Sequence, residues 1–332
     1  MLNAVYVTEP GSKVVARKGS VLIIKRNGDK AYIPPNTDTV IIASSRIALS
    51  SKAIKLLVSR DIDLIFLDSY GRPTARITPP IINKTVSTRV RQYSLFNETK
   101  SALELAREFI TCKIENQARL IRYLGKSRGI RELMDKYYEL SSLATQLDST
   151  PLSQLTQEFI NSIEAAAAKK YWSLIQMLLP PELGFEGRNP DSVDVFNVAL
   201  NYGYGILYSL TESQLLIVGL DPYLGVLHTA KSGKASLVYD FVEPFRPIAV
   251  DKPLITGARE LKNLKLFNGF LDYDSRRTVA KLIIGNLNEQ YMYTKAGKRM
   301  SLIDIIRHET WDLASTIRGG SVKDYRCFNW VF

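Results

Sequence analysis

The sequence predicts an α+β fold, with a small β-rich domain over residues 1–84 followed by a larger all-helical domain over residues 85–332. Three observations predict it. Short β-branched runs separated by turn dipeptides fill the first 80 or so residues. The texture changes after Pro79-Pro80, where helical periodicity with almost no Gly or Pro begins. A chain of 332 residues with 45% hydrophobic content is long enough for two domains with full cores.

Taken in order, strands are expected at Ala4–Val7, Val14–Arg17, Val21–Lys25, Thr39–Ala43 and Leu64–Leu67, with Asn27-Gly28 marking a hairpin. One short helix, from about Ser51 to Arg60, interrupts them. One long helix is expected over residues 85–124. Others are expected over 130–146, 152–179, 193–208, 236–241, 276–293 and 301–318, with Pro151 near the start of the third and Pro180-Pro181 after its end. The tail after Gly319-Gly320 reads as loosely held.

The net charge of +11 favours a polyanionic partner, nucleic acid first and an anionic membrane surface second. Charge of that kind also suits a generally basic soluble enzyme. The first 85 residues hold 13 basic and 6 acidic side chains, so more than half of the excess lies in the first quarter of the chain. Cys112 and Cys327 stand 215 positions apart with no CxxC or Cys/His cluster, which argues against a disulfide framework or a zinc ribbon. The N-terminus lacks the apolar core of a signal peptide, and no apolar run approaches the roughly 18 residues that cross a bilayer. A cytoplasmic protein is expected.

The segment from Gly219 to Asp251, GLDPYLGVLHTAKSGKASLVYDFVEPFRPIAVD, is the most informative. It holds His228, one of two histidines in the chain, and, twelve and fifteen positions later, Asp240 and Glu243. On a helix, a spacing of three puts both carboxylates on one face. One imidazole near two hard oxygen donors is the material of a Mg²⁺ or Mn²⁺ site, and on a basic chain it points toward phosphodiester chemistry. Arg246 and Asp251 follow; an ion pair between Arg246 and Asp240 or Asp251 is the plain structural reading of that charge cluster. Two earlier segments stand out. In IEAAAAKKYW, Glu164 precedes four alanines that let a ligand or backbone approach, although an ordinary surface carboxylate on a well-packed helix reads the same way. In RNPDSVDVFNVALNYGYGILYSL, Asn197 and Asn201 are four apart and could steady a metal ligand, while Gly203 and Gly205 suit helix packing.

At these residues the chain resembles the CRISPR-associated adaptation integrase family, the larger, catalytic subunit of the spacer-acquisition complex. The string DPYLGVLHTAKSGKASLVYDFVEPFRPIAVD is similar to that family's signature, and EAAAAKKYW and NVALNYGYGILY match its two earlier motifs in order and spacing. The resemblance implies a metal site of Glu164, His228 and Glu243, with Asp240 at a further acidic position, either as a ligand or orienting one. It implies a metal-dependent DNA endonuclease and integrase, in which a DNA 3′-hydroxyl attacks a phosphodiester and Mg²⁺ or Mn²⁺ acts as Lewis acid. It also implies a homodimer formed through the β-rich domain, double-stranded and branched DNA as substrate, and a small partner subunit bridging two dimers. Tyr171 and Tyr208 read as packing or phosphate-contacting groups rather than nucleophiles.

Lys170, Lys231, Lys234 and Arg246 are candidate phosphate contacts. Arg119, Arg122, Lys126, Arg128 and Arg131 form a basic run that reads either as a DNA backbone contact or as a solvated helix face. Charge alone fits a non-catalytic nucleic-acid-binding scaffold equally well. An RNA-processing nuclease ranks third, because no GFGFVxF-type aromatic signature is present.

Overall fold

The computed structural model describes residues 3–68, 73–77, 86–227 and 234–332. The first region runs β1 (Asn3–Val7), β2 (Lys13–Arg17), β3 (Ser20–Ile24), β4 (Lys30–Ile33), β5 (Thr37–Ile42), β6 (Ala48–Leu49), α1 (Ser51–Val58), β7 (Asp63–Leu67) and β8 (Pro73–Ile77). These strands form two four-stranded sheets, ordered β1-β5-β7-β8 and β4-β3-β2-β6. The expected hairpin joins β3 to β4, with Gly28 at φ +92° in its loop. In the first sheet β1, β5 and β7 are parallel and β8 is antiparallel.

The central strands of that sheet, β5 and β7, are buried on both faces, which explains their near-continuous apolar sequences. Alternate side chains point to opposite faces. Val40, Ile42 and Leu64 join a small core with Val14, Val21 and Leu57 of the second sheet and α1. Ile41, Ala43, Ile65 and Leu67 enter the large core of the helical region instead. Asp63 fastens the same seam: it pairs with Arg76 of β8 and accepts a 2.6 Å hydrogen bond from Ser213 Oγ.

The remainder runs α2 (Val86–Asn97), α3 (Thr99–Arg128), α4 (Glu132–Ser149), α5 (Gln157–Leu178), α6 (Val195–Ile217), α7 (Ser236–Val242), α8 (Lys252–Thr256), α9 (Ala258–Leu261), β9 (Leu266–Phe267), β10 (Phe270–Leu271), α10 (Tyr273–Leu287), β11 (Gln290–Tyr293), β12 (Lys298–Ser301) and α11 (Leu302–Gly319). No helix among the described residues is long and apolar enough to cross a membrane.

Several sequence expectations change here. The helix expected over 276–293 spans Tyr273–Leu287, and Gln290–Tyr293 is a strand. The region is not all-helical: β9 pairs with β10 and β11 with β12. Asn268 and Gly269, both at positive φ, form the tight turn of the first hairpin. The single long helix is two, because Glu98 is extended (φ −83°, ψ 111°) and starts α3 afresh. The helix expected from residue 152 begins at Gln157, where Thr156 caps the Phe159 N–H at 3.1 Å.

The tail after Gly320 is held rather than loose. Val322, Tyr325, Cys327, Phe328 and Trp330 are buried. The side chain of Asn116 on α3 accepts the Trp330 N–H at 2.8 Å and donates to the Phe328 carbonyl at 3.0 Å. The cysteines meet despite their separation: Cys112, Cys327 and Glu108 form one cluster, in which Glu108 accepts the Cys327 N–H at 2.7 Å and both thiols are free.

Candidate metal centre and adjoining cleft

The centre is built where α3, α5 and the end of α7 meet. Lys113 and Asn116 lie three apart on α3 and so share a face. Asn116 donates to the Pro244 carbonyl at 2.7 Å, which fixes the turn that follows α7. Glu243 ends that helix and is almost wholly buried, its side chain 1% exposed. Glu164 arrives from α5, a quarter exposed, beside the solvent-facing Ala165 and Ala166. The alanines therefore leave its flank open.

Both carboxylates converge on one cation. Lys113 Nζ lies 2.5 Å from Glu164 Oε1, in a hydrogen-bonded ion pair, and 2.7 Å from Glu243 Oε2. The other oxygen of Glu243 pairs with Arg246 Nη1 at 2.8 Å. Burial works against the charge on Lys113, but Glu243 and Glu164 outweigh it and hold the ammonium above its ordinary lysine value. Arg246 is likewise raised, burial opposing its charge and Glu243 prevailing. Two hard oxygen donors drawn from separate helices within reach of one cation suit a divalent ion, and Glu164 and Glu243 could hold one. His228 and Lys231 lie outside the described residues.

Asp240 faces elsewhere. It is fully buried in α7, and its Oδ2 accepts the backbone N–H of Val226 at 2.6 Å and of Leu227 at 3.0 Å. It thus ties the loop that leads to His228 onto the helix that ends in Glu243. The three-residue spacing does not put the two acids on one task. Asp251 does not pair with Arg246 either. It is buried between Tyr171 and Tyr204, whose hydroxyls donate at 2.8 and 2.6 Å, and burial pushes its pKa up to about 6. Tyr171 is fully buried and serves this packing.

Arg246 also opens onto a cleft of about 840 Å³ lined by Arg76, Arg188, Tyr204, Tyr208, Lys234 and Tyr239, among others. Its guanidinium lies 5.2 Å from the ring centre of Tyr204 and donates to Tyr208 Oη at 2.7 Å. The asparagines of α6 steady this wall rather than the carboxylates: Asn197 and Asn201 accept from Arg188 at 3.0 and 2.7 Å. Gly203 is a packing glycine, since a Cβ there would approach Val250 Cγ1 to 2.7 Å. Lys234 sits over the Tyr239 ring at 5.4 Å.

Most of the remaining candidate phosphate contacts have partners within the molecule. Lys170 pairs with Glu139 of α4 at 3.1 Å. Arg119 donates to the Trp330 carbonyl at 2.8 Å and pairs with Glu115. Arg122 stacks over Tyr137, and Lys126 lies 5.3 Å from the Phe332 ring centre. Arg128 donates to the Leu178 and Ile255 carbonyls. This part of the basic run clamps the tail and the ends of neighbouring segments.

Sequence reasoning missed Lys113, Arg76 and Arg188. Lys113 had a signal: Ala106, Phe109, Lys113, Gln117, Leu120 and Leu124 follow the buried stripe of α3, and a lysine on that stripe needs partners.

Fold and site together define a two-region α+β protein whose helical core carries a carboxylate pair joined through Arg246 to a basic, tyrosine-lined cleft. The family model described as CRISPR associated protein Cas1 matches residues 5–282, and the chain belongs to that family. A curated relative from Hyperthermus butylicus, named CRISPR-associated endonuclease Cas1, is 37% identical over 331 residues, covering 99% of this chain and 98% of its own. Among solved structures, a casposase bound to integration product superposes with a TM-score of 0.82 at 22% identity, over 97% of this chain and 94% of that one. A Cas6-RT-Cas1–Cas2 complex superposes with a TM-score of 0.79 at 17% identity, over 100% of this chain and 36% of that one. These two likenesses are likenesses of fold.

Proposed function

We propose that this chain is a metal-dependent DNA endonuclease and integrase that inserts foreign DNA into a CRISPR array. The observation that carries the reading is the convergence of Glu164 and Glu243, from separate helices, on one cation beside the cleft, in a chain of the Cas1 family. Glu164, Glu243 and His228 would hold Mg²⁺ or Mn²⁺. When bound, that ion would supply a Lewis acid for the phosphoryl oxygens and a template for the entering and leaving oxygens.

The protein's own groups do the rest. Asp240 fixes the loop before His228 against α7. Arg246, held by Glu243 and Tyr208, presents its guanidinium at the cleft wall, where it can pair with a phosphate. Arg188, Arg76 and Lys234 extend the basic lining, and Tyr239 and Tyr208 offer faces on which unpaired bases can stack. A DNA end laid in this cleft would have its backbone on the arginines and its terminus at the carboxylates. The family resemblance adds a homodimer through residues 1–84, chemistry carried by residues 85–332, branched DNA as substrate and a small partner subunit bridging two dimers; work in the cytoplasm rests on the cysteine usage. The fold likeness to a Cas1–Cas2 assembly supports the partner.

The experiment is strand transfer and cleavage on branched and linear DNA with Mg²⁺, Mn²⁺ or a chelator. Glu164→Gln, Glu243→Gln and His228→Ala should each lower turnover by more than about 100-fold, since even groups that only orient metal ligands are worth about 10–100-fold. Full activity in the chelator would overturn the metal reading. A variant that keeps wild-type turnover removes its residue from the site. One observation favours a non-catalytic scaffold: Lys113 and Arg246 pair the carboxylates within the protein. DNA binding without divalent-dependent turnover would establish that alternative.

A further inference from the structure

We propose that Lys113 is a built-in counter-cation, which holds Glu164 and Glu243 together and must withdraw for a divalent ion to bind between them. The inference rests on the reading of these carboxylates as metal ligands.

Its ammonium contacts one oxygen of each, at 2.5 and 2.7 Å. A divalent ion of the Mg²⁺ type takes its oxygens at about 2.0–2.1 Å and claims the same lone pairs. The two cations cannot share that gap. Without either, the two carboxylates, one of them 1% exposed, would keep only Arg246 as counter-charge, on the other oxygen of Glu243, and would repel. Lys113 removes that cost in the metal-free protein. Its side chain is itself only 10% exposed and is carried by a 30-residue helix, so the ammonium is placed by the fold and not by chance at a surface.

The chemistry of lysine suits a removable plug: a compact charge on a four-carbon stem with freely turning donors, unlike the planar fork of arginine. Access is on the Glu164 side, where the carboxylate is a quarter exposed and its helix neighbours are alanines. The consequence is a metal affinity weakened by the protein itself. A neutral side chain of similar length at position 113 should lower apo stability and tighten metal binding together.

The test is Mn²⁺ binding to the full chain by electron paramagnetic resonance or calorimetry, with thermal denaturation in chelator and in Mn²⁺. Lys113→Met should melt lower in chelator, bind Mn²⁺ at least about tenfold more tightly than wild type, and show a larger Mn²⁺-induced rise in Tm. Lys113→Arg, whose fork fills the gap, should bind Mn²⁺ more weakly than wild type. Should Lys113→Met fail to fold, the arginine variant carries the test alone. Unchanged or weaker binding by Lys113→Met, or unchanged binding by Lys113→Arg where it stands alone, overturns the proposal. Glu164→Gln separates the two failures. If it loses Mn²⁺ while Lys113→Met binds as wild type does, only the role of Lys113 falls. If Mn²⁺ binding is insensitive to Glu164, the metal-ligand reading falls and this inference with it.

Discussion

Asp240→Asn should behave as a positioning defect, and its size can be worked from two bonds. Asp240 Oδ2 accepts the Val226 and Leu227 N–H groups at 2.6 and 3.0 Å from a fully buried carboxylate. Hydrogen bonds to charged groups contribute about 1.5–3 kcal/mol and neutral ones about 0.5–1.5, so an amide oxygen in the same place forfeits about 2 kcal/mol over the pair. For a region of some 250 residues that is a fall in Tm of about 4–8 °C. Alanine removes the acceptor and should cost about 2–4 kcal/mol. The residue after Leu227 in the chain is His228, so loosening residues 225–227 loosens the link between that histidine and Glu243. Strand transfer should drop about 10–100-fold, less than on removing a ligand. Gly225→Ala is the independent arm. A Cβ there would collide with Asp240 Oδ2 and lie 2.8 Å from the Ser236 carbonyl carbon, so it should reproduce the defect with the carboxylate intact. Differential scanning calorimetry and single-turnover strand transfer measure both. Wild-type Tm and rate in Asp240→Asn would refute the reasoning.

Reversing Arg119 and Arg122 together to Glu should free the tail: the bond to the Trp330 carbonyl and the stacking on Tyr137 are lost, at a cost of about 2–3 kcal/mol. Proteolysis should then reach the last dozen residues while the salt dependence of DNA binding is unchanged; a flattened salt slope would return these arginines to the DNA. Asp251→Asn should gain stability relative to wild type as pH rises. The Asp251 pKa is raised from 3.8 to about 6 by burial, so the stability it contributes as a neutral acid is fully present below about pH 3.8 and lost through about pH 6. Asparagine never ionises, and the Tm difference between variant and wild type should climb by the equivalent of about 2.5 kcal/mol between pH 4 and pH 8. A flat difference would show that the two tyrosine hydroxyls compensate fully for the buried charge.

The strand-rich first region was legible because its signals are local: β-branched runs bounded by Gly, Pro and Asn. The later hairpin carried the same kind of signal, Asn268-Gly269, but its strands are two residues long and too short to show alternation. The split between α2 and α3 was hidden for a different reason. Glu98 breaks the backbone path without Gly or Pro, and its replacement contact, Ser101 Oγ donating to Glu98 at 2.8 Å, exists only once the break is made.

The site divides along the same line. Glu164 and Glu243 stand out as acids among apolar or small neighbours, and sequence motifs reached them. Arg246 lies within spacing reach of Glu243, but the cation that both acids share, Lys113, is 51 and 130 positions away, and no spacing rule encodes that. The basic run shows the limit from the other side. A helix end that gathers Arg119, Arg122 and Lys126 has the composition of a phosphate-binding face, yet the chain supplies its own acceptors and rings from Trp330 and Phe332. Net charge therefore predicts a polyanionic partner for the molecule without saying which cations remain for it. In this protein the cations that line the open cleft, Arg76, Arg188, Lys234 and Arg246, are scattered over 171 residues, and the fold alone makes them a patch. Sequence reading reached Glu164, Glu243, Lys234 and Arg246 one by one, and the tertiary fold was needed to join the two cations to Arg76 and Arg188 in one cleft.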